Sequence, residues 1–400
     1  MYNLSVVIPT KNRHFTALYA VKSVIDLGDS STEVIVQDCS DTDSLKTMLF
    51  DTFGADSRIK YHYIDHPISM TDNWNSAFLK ASGKYVCGIG DDDAVMPSIV
   101  DVVNWMESVD ADAVLPLRIS YVWEDAYVGQ ISCGRVTFPS KFTGCSNQID
   151  LERELKQKTK DCGFGYDVNL PNLYHGIIRN DILLQHKACV GAILRGTSLD
   201  AYASFAFAKY VKKAYYVDYP ITIRGICGSS NANRNVSKKI YSHFKEFDSK
   251  SLSIPEYLPQ ILNSDVSITE SCIIALQDIN RHDLIANLDL SVIYGKCAAN
   301  DPTLFLSLYI RLLKYKTTGT NSFRYFRIFL SYYFGRTLKH GMATTILYFL
   351  NKMYPIYDLL CDRLIKKSRK IKAIDITAAI DIVDKFVREN GIALQLNKII

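Results

Sequence analysis

An α/β fold, with a mostly parallel, Rossmann-like sheet flanked by helices, is what this 400-residue chain predicts, on three observations. The first is a pair of short apolar, β-branched runs, Leu4-Ser5-Val6-Val7-Ile8-Pro9-Thr10 and Glu33-Val34-Ile35-Val36-Gln37-Asp38. The second lies between them, where Ala17, Leu18, Ala20, Val21, Val24, Ile25 and Leu27 recur at helical spacing. The third is Lys84-Tyr85-Val86-Cys87-Gly88-Ile89, a run with the character of a buried strand that leads straight into Gly90-Asp91-Asp92-Asp93. Strands that alternate with helices imply a parallel sheet with ligands beyond the carboxyl ends of its strands. Asp38 and the three-acid cluster both fall at such ends.

Acids clustered at a strand end suit a hard divalent cation, Mn²⁺ or Mg²⁺, which takes one or two carboxylates and completes its shell with water and substrate phosphates. The same residues also suit a solvated acidic turn. Asp38 admits two readings as well. It is an acceptor-only carboxylate at a strand end, or a turn cap beside Ser40 and Asp41. Asp200 opens a helical stretch containing Ala201, Phe205 and Ala206, where an acid is favoured by the helix dipole whatever else it does.

Three segments taken together resemble the bacterial family 2 glycosyltransferases of the GT-A fold. They are Val6-Val7-Ile8-Pro9-Thr10-Lys11-Asn12-Arg13, then Val34 to Asp43, then Ala81-Ser82-Gly83-Lys84-Tyr85 leading into Gly90-Asp91-Asp92-Asp93 and Pro97. Echoes follow at Gly196 to Tyr202 and Tyr216 to Arg224, so the resemblance covers residues up to about 230. It implies a metal-dependent, inverting transfer of a sugar from a nucleotide-diphosphate donor, a UDP-sugar being favoured, to a lipid-linked or saccharide acceptor in surface polysaccharide synthesis, such as O-antigen or capsule. Within the DXD-type cluster it implies Asp93 as the foremost metal ligand, with Asp91 beside it and Asp92 next. Pro9, Thr10, Arg13, Asp38, Asn75, Asp91, Asp92 and Arg224 fall to the donor nucleotide sugar. Asp200 takes the place of the general base, and His175 falls on the acceptor side. Two departures stand out. The segment Thr71-Asp72-Asn73-Trp74-Asn75 lacks the Arg that relatives carry there, and Arg224, Ser229 and Ser230 stand where relatives supply a His.

Length and a 48% hydrophobic content allow a sizeable core and two domains. The expected division is a transferase domain over 1–230, a linker over 231–253 containing Lys238-Lys239, and a helical C-terminal region over 254–400. Ten scattered cysteines without a Cys-x-x-Cys pair suggest reduced thiols. The absence of a signal-like start and of a bilayer-length apolar run gives the expectation of a cytoplasmic protein, peripheral at the inner face of the plasma membrane. Fourteen Lys and Arg stand against two Asp from residue 302 to 372, a local excess of +12 in a chain of net charge +4. There Phe323, Tyr325, Phe326 and Phe329 interleave with Arg324 and Arg327, which suits an anionic membrane surface. A solvated basic face over an aromatic core gives the same pattern, and nucleic acid is set aside. Two other function classes remain: a nucleotidyltransferase, disfavoured because the first turn lacks a Gly-rich phosphate loop, and an inactive scaffold or lipid-surface binder, which would have no need of Asp38, Asp91 to Asp93 and Asp200. Oligomeric state is left open.

Overall fold

The computed structural model describes residues 2–126, 133–230, 254–261, 263–315, 320–333 and 368–399. The linker expected at 231–253 and the basic, aromatic residues from 334 to 367 lie outside these. Strand β1 (Leu4–Thr10) is buried along all seven residues, as apolar β-branched sequence is when a parallel sheet is covered on both faces. It pairs in parallel with β2 (Thr32–Asp38), Thr10 opposite Asp38, and with β4 (Tyr85–Gly88), Val7 opposite Gly88. β3 (Ile59–Tyr63) extends the sheet beyond β2. Beyond β4 come β10 (Ile177–Arg179), β6 (Ala113–Pro116), β11 (Ala214–Val217), β9 (Cys145–Gln148) and β14 (Gln395–Ile399). Six of these nine strands run one way, and β10, β9 and β14 are reversed. A second sheet of five strands has the order β13 (Ser368–Lys372), β8 (Arg135–Pro139), β7 (Ile119–Val122), β12 (Thr222–Ile226), β5 (Ala94–Val95).

Helices α1 (His14–Ile25), α2 (Ser44–Phe53), α3 (Met70–Phe78), α4 (Ser98–Ser108), α5 (Leu151–Lys160), α6 (Asn180–Val190) and α7 (Leu199–Phe207) connect these strands. They are followed by α8 (Ser264–Asp278), α9 (His282–Ile285), α10 (Leu290–Asn300) and α11 (Phe305–Lys314), then by helical residues 322–333 and α12 (Ile376–Glu389). One core gathers α1, α4 and α12, and a second gathers α3, α6, α7 and α8. A third joins α10 to α11 through Leu290, Ile293, Leu308, Leu312 and Tyr325.

Two observations bear on the expected organisation. Cys272, Ala275 and Leu276 of α8 share a core with Tyr202 and Phe205 of α7, so packing is continuous across the boundary drawn at residue 230. The helical region drawn over 254–400 is interrupted from residue 368. There β13 pairs antiparallel with β8, β14 pairs with β9, and α12 buries Ile376, Ala379, Val383 and Phe386 in the first core. Arg369, Lys370 and Lys372 hide the strand pattern in the sequence, because an edge strand carries charge on its open side.

Candidate active site

The acid cluster occupies the turn between β4 and β5, at the carboxyl end of the parallel strands. Its three carboxylates have different surroundings. Asp93 is fully buried: its Oδ2 accepts from the Gly90 amide at 2.6 Å and from the Tyr174 hydroxyl at 2.7 Å, and its Oδ1 from the Gly225 amide at 2.6 Å. Gly225 makes this closeness possible, since a Cβ there would meet the Asp92 carbonyl oxygen at 1.6 Å. Asp91 Oδ2 accepts from the Thr10 hydroxyl at 2.6 Å, and Asp92 Oδ2 from the Cys227 amide at 3.2 Å. Their Oδ1 atoms both face Arg13, whose Nη1 lies 3.1 Å from Asp91 and 3.5 Å from Asp92. Burial raises all three acids above the usual carboxylate range, with Arg13 opposing it at Asp91 and Asp92. Burial also works against the charge on Arg13, but Asp91 and Asp92 outweigh it and hold the guanidinium protonated.

Arg13 reaches the acids because its loop is pinned. The Asn12 amide donates to Ser40 Oγ at 2.7 Å, and Asn12 and Asp41 exchange hydrogen bonds of 3.0 Å, fastening the β1–α1 loop to the residues after β2.

Asp200 stands in the first turn of α7. Its Oδ2 accepts from the Tyr166 hydroxyl at 2.5 Å, and its Oδ1 from Ser198 Oγ and the Ala201 amide, each at 3.0 Å. Burial, and after it the charge of Asp200, push the Tyr166 phenol well above its ordinary value, which keeps it a donor. The turn before α7 is tied to α8, because Ser271 Oγ accepts from the amides of Thr197 at 3.2 Å and Ser198 at 2.9 Å. Thr197 Oγ1 also meets Ser267 Oγ at 2.5 Å.

These groups surround one cavity of about 820 Å³. Of the residues the sequence singled out, Pro9, Thr10, Arg13, Asp91, Asp92, Asp200 and Arg224 line it, as do Ser229 and Ser230. Four others lie outside the lining. Asp93 is enclosed by its three donors, so Asp91 and Asp92 are the acids of the cluster that line the cavity. Asp38 holds the Ser40 amide at 2.8 Å and the Tyr61 hydroxyl at 2.9 Å, the capping alternative. Asn75 binds the backbone of Ile193 and Leu194 with both ends of its amide. His175 sits behind the acid turn, 3.1 Å from Thr222 Oγ1 and 3.4 Å from Asp93, where burial, with Arg118 and Arg224, keeps its ring neutral. Sequence reasoning missed Tyr166, Trp74, Thr197 and the first turns of α8, from which Ser264, Ser267 and Ile268 line the cavity. No motif marks these, since helix spacing does not say which face closes a distant site.

Among the described residues, no group of three or more His, Cys, Asp or Glu is placed to hold a metal ion. Two carboxylates suffice where phosphates and water complete the shell. Asp91 Oδ1 fits that mode, being buried beside the cavity with no donor aligned on it, although Arg13 is 3.1 Å away.

Residues 5–164 match the model of glycosyl transferase family 2. Over 99 residues the chain is 33% identical to the "Putative colanic acid biosynthesis glycosyl transferase WcaA" of Escherichia coli (strain K12), covering 25% of this chain and 36% of that protein. Over 100 residues it is 33% identical to the "GalNAc(5)-diNAcBac-PP-undecaprenol beta-1,3-glucosyltransferase" of Campylobacter jejuni, covering 24% and 31%. The chain thus spans about a third of the length of the curated relatives it matches. Among solved structures, S. aureus TarS 1-349 in complex with UDP-GlcNAc aligns with a TM-score of 0.44 at 14% identity, over 85% of this chain and 92% of that one. Mannosyltransferase PcManGT from Pyrobaculum calidifontis, in complex with GDP-Man and Mn2+, aligns at 0.40 and 13%, over 85% and 87%. The match to glycosyl transferase family 2 is confined to residues 5–164 of the 400.

Proposed function

We propose that this protein transfers a sugar, with inversion, from a nucleotide-diphosphate donor, a UDP-sugar being favoured, to a lipid-linked or saccharide acceptor in bacterial surface polysaccharide synthesis. The observation that carries this reading is one cavity lined by Asp91, Asp92 and Asp200 together. Asp91 and Asp92 would hold Mn²⁺ or Mg²⁺, which when bound neutralises charge on the departing diphosphate as a Lewis acid. Pro9 and Thr10 lie at the donor end, with Arg224, Ser229 and Ser230 as further partners for phosphate. Asp200, fixed by Tyr166 and Ser198, takes the proton of the acceptor hydroxyl as it attacks the anomeric carbon. The acceptor class is drawn from the names of the two relatives, one placed in colanic acid biosynthesis and the other acting on an undecaprenol-linked glycan.

A thermal-shift panel of nucleotides and nucleotide sugars, each with and without Mn²⁺, tests this. A ligand that binds only the folded chain stabilises it in proportion to the logarithm of its concentration over Kd. UDP or a UDP-sugar with Mn²⁺ should raise Tm most, and chelation should remove the gain. Equal stabilisation by all bases, with no response to chelator, would overturn the donor and metal assignments.

A further inference from the structure

We propose that Arg13 is a built-in counter-ion for the Asp91–Asp92 pair, displaced by the divalent cation and then free to bind the donor diphosphate. The proposal rests on reading the cavity as a nucleotide-sugar site.

The division of oxygens carries it. Each acid has one oxygen engaged by the protein frame, Asp91 Oδ2 by Thr10 and Asp92 Oδ2 by the Cys227 amide. Each leaves only its Oδ1 for a cation, and both Oδ1 atoms face the same nitrogen of Arg13. A cation held by this pair would compete with the guanidinium for the same Oδ1 atoms, so the two would exclude each other. The acids are withdrawn from water, at 0% and 4% exposure, and two such carboxylates are strongly disfavoured without a compensating charge. Arg13 supplies that charge before metal arrives.

The guanidinium is also placed to leave. Its side chain is 25% exposed and lines the cavity, and its other polar contact is a weak one of 3.8 Å to Cys227 Sγ. Once released it would remain in the cavity lining, and its planar fork matches phosphate oxygens. Metal and nucleotide then assist each other by more than their direct contact. Each favours the state in which Arg13 has left the acids, and such coupling is reciprocal.

The experiment titrates Mn²⁺ into the full chain, reading free Mn²⁺ by electron paramagnetic resonance, with and without UDP, for the parent, Arg13→Gln and Arg13→Lys. Without UDP, Arg13→Gln should bind Mn²⁺ about tenfold more tightly than the parent, within the usual range of coupling between sites. Arg13→Lys should fall between them, because a compact ammonium competes less well for two oxygens. UDP should tighten Mn²⁺ binding in the parent and do so less in Arg13→Gln. Because Arg13→Gln leaves a buried acid pair uncompensated, circular dichroism checks its fold, and Arg13→Lys alone decides the question if it unfolds. If the parent binds Mn²⁺ with UDP but neither variant binds it more tightly without UDP, the displacement is wrong and the site reading stands. If the parent binds no Mn²⁺ even with UDP, both fall.

Discussion

At position 93, a carboxylate that sequence alone places first among metal ligands is held by three donors that fasten the acid turn. The difference could not be read locally, because two of the groups that settle it, Gly225 and Tyr174, lie far along the chain. The same holds for Asp38, whose strand-end position was legible but whose partner Tyr61 was not. The position of Asp200 in the first turn of a helix was legible, whereas Tyr166, which donates to it, had no motif to announce it. The roles of these two separate in kinetics. Asp200→Asn should lower kcat by about 10²- to 10⁴-fold while the Kd for UDP with Mn²⁺ stays near the parent value. Tyr166→Phe removes one hydrogen bond to the carboxylate, worth about 1.5–3 kcal/mol when one partner is charged. It should therefore lower kcat by about ten- to a hundredfold, again with UDP affinity kept. Loss of UDP affinity in either variant would place the pair on the donor side.

The elements that form the site come from both halves of the sequence. β1, β2 and β4 were predicted by their apolar runs, and their parallel register brings Thr10 and Asp38 side by side. β12 was singled out only through Arg224, and α8 not at all, since both meet the site largely through backbone or small groups. β12 presses amides onto the acid turn, and α8 offers Ser271 to the turn before α7. Gly225→Ala tests the first contact. A methyl group 1.6 Å from the Asp92 carbonyl oxygen cannot be accommodated without moving the strand or the turn. Overpacking of this kind costs about 1–3 kcal/mol or more. The variant should show a lower Tm and little stabilisation by UDP with Mn²⁺. A parent-like response would mean that β12 can withdraw without disturbing Asp91 and Asp92.

For the molecule as a whole, the polarised charge and the exposed apolar residues of α11 and of 322–333 share one region. Leu306, Ile310 and Phe323 are 65%, 60% and 76% exposed, while Leu308, Leu312 and Tyr325 of the same helices are buried. No Asp or Glu occurs from residue 302 to 357. No helix among the described residues is long and apolar enough to cross a membrane. We propose that these features attach the protein to the surface of anionic lipid, where apolar burial and charge attraction act together. Co-sedimentation with phosphatidylglycerol vesicles should capture the full chain, weaken at high salt as screening predicts, and drop several-fold when Leu306, Ile310 and Phe323 are changed to Ser. Equal capture by neutral vesicles, or by the variant, would leave this face to packing against another part of the chain or another protein.

The return of residues 368–399 to both sheets also bears on how the protein comes to be folded. Ser368 pairs with Pro139 and Gln395 with Cys145, so β8 and β9 gain these partners from sequence made far later. At ordinary rates of synthesis that interval is on the order of ten to fifty seconds. Throughout it, β8 on the nascent chain presents an unpaired edge of the kind that invites pairing with a neighbour. Pairings so distant in sequence also close slowly. The newborn chain is thus most open to aggregation, and to chaperones, along the very edge that β13 later covers.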